Sequence, residues 1–168
     1  LATYKMALSL IATTRGIPQI YYGTEIGMRG SKAVGDADIR RDLFGNRDRL
    51  VLDANQEAYF QFTKNLLNWR KNQKVIHEGK FLQYVPQNNV YVYFRYLEPV
   101  KEKVQPAEVI MVVINNSTKE QTLSWSRFTE GFKGYDKGKD VLTNQTFDFE
   151  VPNGSIPAKT SYIIKLSH

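Results

Sequence analysis

The apolar residues at the start of the chain follow a helical spacing. Those that recur at intervals of three or four residues are Leu1, Tyr4, Leu8 and Ile11. This spacing places them on one face of a helix, and Pro18 stops the helix because proline lacks the backbone N–H that a helix interior needs. Residues 17–22 are too few for a helix and rich in β-forming types. We therefore predict a helix over residues 1–13 and a buried strand over residues 17–22.

A long loop and a second helix follow. Residues 23–54 are rich in Gly, Asp and Arg and keep no apolar period, so they predict a loop. The second helix begins at Asp53, because Gln56 three residues later completes a pair resembling a capping box. Its apolar face contains Tyr59, Phe62, Leu66 and Trp69. The positive charges of Arg70 and Lys71 suit the C-terminal end of that helix.

Beyond Val75 the apolar period changes from helical to two, which predicts β-strands. Residues 90–96 alternate and predict a half-buried antiparallel strand, whereas residues 109–114 are nearly all apolar and predict a central one. Further strands are predicted at residues 80–85, 120–125, 140–143, 146–151 and 160–166. Turn signals separate them at residues 88–89, 115–117, 131–138 and 153–154. Many short strands at this spacing are typical of an antiparallel sandwich.

The composition is that of a soluble globular protein. Of its 168 residues, 42% are hydrophobic and 24% are charged, which allows one domain or two small ones. No segment approaches the roughly 18 consecutive apolar residues that span a membrane, so we expect no membrane partner. The chain opens on Leu1 without an initiator Met or a secretory leader. We therefore expect a longer parent protein, whose compartment (periplasmic, extracellular or cytoplasmic) the sequence leaves open.

The formal net charge of +6 makes a nucleic-acid-binding domain one hypothesis. The 23 Lys and Arg residues are spread along the chain among 17 acidic residues, and no run of five basic residues occurs. A solvated basic surface explains this distribution better than a binding patch. We therefore expect no nucleic-acid partner, and keep this class as the less favoured alternative.

The chain offers no pattern for a metal or a cofactor. It has no cysteine, which excludes disulfides and thiolate metal sites. His77 and His168 are its two histidines, and we expect both at the surface, forming neither a metal pair nor a triad. Asp36, Asp38 and Arg40 have the opening spacing of a calcium-binding loop, but Arg40 stands where an oxygen ligand is required. We expect no metal and no cofactor.

Two adjacent segments carry a family resemblance. Residues 16–28 read GIPQIYYGTEIGM, and residues 35–41 read GDADIRR. The first resembles the eighth barrel strand of the α-amylase family of glycoside hydrolases. The second resembles the sugar-contacting loop after that strand in neopullulanase-like and cyclomaltodextrinase-like members. Residues 66–72, 92–95 and 156–164 extend the resemblance over nearly the whole chain, in order.

The resemblance implies an α+β fragment in two parts. Residues 1–75 would be the last strand and helices of a (β/α)₈ TIM barrel, and residues 76–168 would be an all-β antiparallel sandwich domain at the C-terminus. Because a barrel strand without neighbours loses its hydrogen-bond ladder, we expect the sandwich to be the stable unit. We expect residues 1–54 to be the weakest part of the chain.

The resemblance also implies that this chain contains no catalytic residue. Glycoside hydrolysis needs two carboxyl groups at the scissile bond. In the family these come from barrel strands four and five, with a third acid from strand seven, and all precede the helix before strand eight. The partners implied are the missing N-terminal part of the same protein and an α-glucan substrate. The parent enzyme would be a retaining hydrolase of α-1,4 linkages, with α-1,6 linkages as a second option.

Asp36 and Arg40 are the substrate-binding residues that the resemblance implies for the parent enzyme. An acceptor-only carboxylate and a donor-only guanidinium can together hold neighbouring sugar hydroxyls. The plainer alternative is an exposed ion pair of little energetic value. Tyr22 and Glu25 fall at the C-terminal end of the predicted barrel strand, the face that carries active sites. For them we predict a supporting role in orienting the loop, with a strand-end carboxylate satisfied by backbone donors as the alternative for Glu25.

A carbohydrate-binding module that acts without a catalytic domain remains a second hypothesis. Tyr91 and Tyr93 could stack on sugar rings if both were exposed on one face of their strand. Such a pair of aromatic residues is more often part of a core or of a packing surface. We favour the packing interpretation.

Overall fold

The computed structural model describes residues 1–44, 50–99 and 108–168. The helices are α1 (Ala2–Thr13), α2 (Asp36–Ile39), α3 (Ala54–Lys71), α4 (Lys74–Glu78) and α5 (Thr129–Phe132). The strands are β1 (Lys80–Gln83), β2 (Val90–Tyr96), β3 (Val109–Asn115), β4 (Gln121–Ser124), β5 (Lys137–Asp140), β6 (Thr146–Asp148), β7 (Asn153–Ile156) and β8 (Thr160–Ser167). Two short 3₁₀ helices lie at Thr24–Ile26 and Trp125–Phe128.

The chain divides into two compact units. Leu1–Ile17 and Leu66–His168 form one unit, and Pro18–Asn65 form the other. The first unit contains α1 and all the strands, and we call its part from β1 to β8 the β domain. The predicted domain boundary between residues 75 and 76 stays a prediction. No helix in the described part of the chain has both the length and the apolar character needed to cross a lipid bilayer.

The β domain consists of two antiparallel sheets. The larger has six strands in the order β1-β2-β3-β8-β5-β6, and the smaller pairs β4 with β7. The central ladder runs from Val90 opposite Asn115 to Tyr96 opposite Val109, and β3 pairs along its other edge with β8. The antiparallel β architecture expected from the period of two is therefore confirmed.

An apolar core lies between the two sheets. Its largest members are Phe94, Trp125, Phe128, Phe132, Phe147 and Tyr162. The rings meet mostly edge to face, as Trp125 does with Phe149 at a centroid distance of 5.1 Å, which is a favoured geometry for aromatic pairs. β7 passes so close to this core that a Cβ atom on Gly154 would lie 1.8 Å from Cζ2 of Trp125. Only glycine fits at that position.

The large sheet is covered on its second face as well. All seven residues of β3 are buried, and α1 packs on β3 and β8 with Met6, Leu8 and Ala12 buried. Of the seven residues of β2, only Tyr91 and Tyr96 are partly exposed. The prediction of a half-buried β2 was therefore wrong. The alternation of residue types indicated one solvent-exposed face, but Tyr93 and Arg95 on that face are buried against the end of α1.

Arg95 joins two helix ends to β2. Its side chain is 2% exposed and donates hydrogen bonds to the carbonyls of Thr13 (3.3 Å), Ile76 (2.8 Å) and Gly79 (2.8 Å). These carbonyls belong to the C-terminal ends of α1 and α4, which lack partners within their helices. Burial, and then the nearby positive charge of Arg15, lower the pKa of Arg95.

Neighbouring polar side chains reinforce the same junction. The Thr13 hydroxyl donates to the Ser9 carbonyl at 2.6 Å, so the Tyr93 hydroxyl, 2.6 Å from the Thr13 oxygen, is its donor. Burial raises the pKa of Tyr93, which keeps its proton available for this bond. Arg70 donates from Nε to the Ala12 carbonyl at 2.8 Å. The end of α1 is thus held by three side chains from other elements.

Several predicted elements are confirmed. Helix α1 is present, and α3 begins with the expected reciprocal cap: the Asp53 carboxylate accepts from the Gln56 N–H at 2.9 Å, and the Gln56 side chain accepts from the Asp53 N–H at 3.1 Å. The short helices α4 and α5 were not predicted. β7 was also missed, because Asn153-Gly154 reads as a turn signal.

Two predicted strands are wrong in the described structure. Residues 17–22 form no ladder, and Ile17 is 96% exposed; a strand exists only where a neighbour pairs with it, and none of the described residues does so. Residues 140–143 form a turn, because the Asp140 carboxylate accepts from the Thr143 and Ile163 N–H groups at 2.8 and 2.7 Å. The strand in this region, β5, ends at Asp140.

Replacing Arg95 tests the junction. We expect Arg95→Met to lower the free energy of unfolding by about 3 kcal/mol or more, because two buried carbonyls and one partly buried carbonyl would lose a charged donor. Arg127→Met is the matched control: Arg127 donates to the Val85 carbonyl at 2.6 Å on an exposed surface, and its loss should cost less than about 1 kcal/mol. Urea unfolding measures both values. Equal losses of unfolding free energy in the two variants would show that the Arg95 hydrogen bonds stabilise the protein no more than an exposed one does.

Candidate functional site

Tyr22 and Glu25 lie on a tight turn of the second unit. The 3₁₀ helix Thr24–Ile26 carries Glu25 and is flanked by Gly23 (φ 84°) and Gly27 (φ 63°), which adopt the left-handed conformation that glycine allows. The Met28 N–H closes the turn by donating to the Gly23 carbonyl at 2.9 Å. Tyr22 precedes it and is 42% exposed, with its ring centroid 4.5 Å from that of Tyr21.

Asp36 and Arg40 bracket the short helix α2. Asp36 is its first residue and forms an exposed ion pair with Lys32. Arg40 follows the last residue of α2 and is exposed. Asp36 therefore pairs with Lys32 rather than with Arg40, in an exposed ion pair of the kind that the plainer alternative describes.

Asp38 and Arg41 supply contacts within this loop that the sequence analysis missed. The Asp38 carboxylate accepts from the Ser31 N–H at 2.6 Å and from Arg41 Nε at 2.9 Å. The Arg41 guanidinium is the main cause that lowers the pKa of Asp38. Backbone packing adds to the closure, because a Cβ atom on Gly30 would lie 2.4 Å from the Asp38 carbonyl. An Asp-to-Arg spacing of three residues on a helix was the signal that could have identified this pair.

Tyr22 connects the turn to the same loop. Its hydroxyl donates to the Arg41 carbonyl at 3.1 Å, so Arg41 is held at its backbone by Tyr22 and at its side chain by Asp38. The hydrogen bond with Tyr21 is the main cause that raises the pKa of Tyr22, while the positive charge of Arg40 acts in the opposite sense. The structure thus brings Tyr22, Asp38 and Arg41 together, and leaves Asp36 and Arg40 with exposed charged groups.

The chemistry of this loop is that of hydrogen bonding and stacking. Carboxylates accept and guanidinium groups donate, and exposed tyrosine rings offer apolar faces. Such groups can bind a hydroxylated ligand. Within residues 1–44, 50–99 and 108–168, no cluster of three or more His, Asp or Glu residues could hold a metal ion. The binding roles of Asp36 and Arg40, and the supporting roles of Tyr22 and Glu25, stay predictions.

The β-domain tyrosines do not form a stacking platform. Tyr93 has no exposed surface, and Tyr91 is partly buried with its hydroxyl donating to Gln83 at 2.6 Å. The packing interpretation of this pair is therefore correct for Tyr93. Both histidines, His77 and His168, are exposed as predicted.

The fold is that of α-amylase structures. The α-amylase of Geobacillus thermoleovorans, solved with acarbose, superposes with a TM-score of 0.73 at 21% identity, covering 99% of this chain and 33% of that one. The structure of AmyP with maltose gives a TM-score of 0.75 at 17% identity, covering 97% and 34%. At these identities the likeness establishes the fold alone. The chain is thus an antiparallel β-rich protein that matches part of these larger enzymes.

The family model for the cyclomaltodextrinase C-terminal domain matches residues 81–165, about half of the chain. The chain belongs to this family, and the resemblance to the α-amylase family is confirmed. The cyclomaltodextrinase of Thermoanaerobacter pseudethanolicus is 27% identical over 98% of this chain and 25% of its own length. The amylopullulanase of Thermoanaerobacterium thermosulfurigenes is 29% identical over 90% and 8%. The chain therefore spans a quarter or less of these relatives.

The contact between Asp38 and Arg41 predicts a measurable titration. Because Arg41 holds the pKa of Asp38 below its ordinary value, the stabilisation of the loop is present above about pH 4 and is lost as the pH falls through the lowered pKa. In Arg41→Gln we expect the pKa of Asp38 to return toward its ordinary value, measured from carboxyl ¹³C shifts. Lys32→Gln is the control, because Lys32 contacts Asp36 instead. An unchanged Asp38 titration in Arg41→Gln would contradict the assignment.

Proposed function

We propose that this chain is the C-terminal part of a retaining glycoside hydrolase that acts on α-glucans. Its substrates would be maltooligosaccharides, pullulan or cyclodextrins, with cleavage of α-1,4 linkages and α-1,6 linkages as a second option. The observation that carries the proposal is the family match over residues 81–165. The similarity to a cyclomaltodextrinase over 98% of the chain supports it.

In this proposal the two parts of the chain have different tasks. Residues 1–75 would contribute the last helices of a catalytic (β/α)₈ barrel, and residues 17–22 would become its last strand only where neighbouring strands of the parent protein pair with them. Residues 76–168 would form the domain that covers those helices. The firm attachment of α1 to the large sheet supports this division, since Arg95 and Tyr93 bind the end of α1 and the Ser161 hydroxyl donates to Ser9 at 3.1 Å. The β domain would then act by fixing the position of a barrel helix.

The loop of the second unit would contact the substrate. Asp36 and Arg40 are exposed and offer an acceptor and a donor to neighbouring sugar hydroxyls. Tyr22 and the Asp38–Arg41 pair would hold the backbone between them, and Glu25 would help to orient the turn. Asp36, now paired with Lys32, would exchange that exposed contact for a sugar hydroxyl at little cost. The two reacting carboxyl groups would come from the remainder of the parent protein.

The chain by itself should have no glycosidase activity. The acid and nucleophile of a retaining mechanism are both required, and the proposal assigns neither to this chain. Release of reducing sugar from maltoheptaose, pullulan and β-cyclodextrin by the purified chain should equal the blank. Turnover that copurifies with the chain through repeated chromatography would overturn this assignment.

Substrate contact can be tested in the full-length parent enzyme. We expect Asp36→Ala and Arg40→Ala each to lower kcat/KM for maltoheptaose by about tenfold to a hundredfold, because each removes a charge-assisted hydrogen bond worth about 1.5–3 kcal/mol. Lys32→Ala is the matched control, since it alters the exposed pairing of Asp36 without removing the carboxylate. Wild-type kinetics in both variants would show that the loop does not touch the substrate.

A further inference from the structure

The β domain contains a small surface pocket that the proposed function does not use. Its volume is about 120 Å³. Its walls come from Gln87 and Asn88, from strand β4 and from Arg127. It suits one unit of a small ligand rather than a large molecule.

One wall of the pocket is the edge of a strand. All four residues of β4, from Gln121 to Ser124, line it. Successive side chains of a strand point to opposite faces, so a pocket that touches all four must run along the strand edge. In the described sheets β4 pairs with β7 alone, and the Trp125 N–H extends that ladder to the Pro152 carbonyl at 3.1 Å. By the alternation of the ladder, Thr122 and Ser124 direct their backbone polar groups to the unpaired side.

The opposite wall is a tight hairpin turn. Gln87 and Val90 exchange two backbone hydrogen bonds of 3.1 and 2.8 Å. Between them Asn88 and Asn89 take φ values of 51° and 61°, the left-handed pair that a two-residue hairpin requires. Arg127 fixes the neighbouring segment by donating to the Val85 carbonyl at 2.6 Å. The pocket is therefore formed before any ligand arrives, which lowers the entropy cost of binding.

The lining chemistry selects the class of ligand. No described lining residue carries a carboxylate, which disfavours a cation as the ligand. The one guanidinium in the lining, that of Arg127, already donates a hydrogen bond to the Val85 carbonyl, which disfavours a polyanion. The other polar residues of the lining are neutral: Gln87, Asn88, Gln121, Thr122 and Ser124. Of these, Gln121 and Ser124 also bond to Ser117 and Ser126. The apolar lining comes from Val90, Leu123 and Phe128. Groups that both donate and accept beside apolar carbon match a neutral sugar, whose hydroxyls do the same.

We propose that this pocket binds one glucose unit of an α-glucan chain, at a site that needs no catalytic group. The proposal concerns this chain by itself, so the experiments below test it independently of the hydrolytic role of a parent enzyme. An extended peptide added to the β4 edge is the competing occupant. An added strand of four residues is bulkier than a volume of about 120 Å³ can hold.

The test is an NMR titration of the ¹⁵N-labelled chain with maltoheptaose. We expect shifts centred on the amides of Asn88, Thr122 and Ser124, with a dissociation constant on the order of 1 mM, because a small open pocket buries one sugar unit at most. Sorbitol at an equal concentration of hydroxyl groups should leave these amides unchanged. The absence of shifts at about ten times that concentration of maltoheptaose, or shifts centred elsewhere, would overturn the proposal.

The two turn asparagines provide a matched pair of variants. Asn88→Gly removes a carboxamide that lines the pocket, whereas Asn89→Gly removes its neighbour, which does not. Glycine accepts the positive φ at both positions, and equal thermal midpoints will confirm that both variants fold. We expect binding of maltoheptaose to weaken about fivefold in Asn88→Gly and to stay unchanged in Asn89→Gly. Equal affinities, or a response to acetyl-(Thr-Val)₃-amide without one to maltoheptaose, would refute a sugar site.

Discussion

The buried guanidinium of Arg95 is the interaction on which the first unit depends. It meets the carbonyls of Thr13, Ile76 and Gly79, so that one side chain of β2 satisfies the ends of two helices. Helix C-termini carry partial negative charge, and the hydrogen bonds to those carbonyls offset the cost of burying this cation. The arginine and the helix ends therefore need each other: either alone would leave polar groups unpaired in the interior.

Different kinds of interaction stabilise the two faces of the large sheet. One face meets β4 and β7 through an apolar core, where burial is favourable but has no direction. The other face receives α1 through hydrogen bonds of fixed geometry, from Arg95, from the Tyr93 hydroxyl and from Ser161. Burial brings the helix to the sheet, and these bonds fix its position along the sheet.

The sequence was most informative where the signal is local. The spacing of apolar residues identified α1 and α3, and the Asp53–Gln56 pair marked the start of α3 correctly. Residues 17–22 have the composition of a strand, but pairing is a property of the neighbours, and local composition cannot supply them. β7 was not predicted, because Asn153-Gly154 is a typical turn sequence. In the structure, Gly154 instead allows β7 to pack closely against Trp125. In the loop, the resemblance pointed to Asp36 and Arg40, whereas the contact between Asp38 and Arg41 is visible only in the folded loop.

The hydrogen bond between Ser161 and Ser9 joins residues 152 positions apart in the sequence. It implies an order of events in folding, because α1 is synthesised before β8, which forms part of the surface that α1 packs on. A nascent chain that has emerged only as far as β7 would expose the apolar face of α1 to solvent. Such late closure of contacts between distant residues is slow and leaves time for aggregation. Shielding by a chaperone, or by other parts of the same polypeptide, would matter most in that interval.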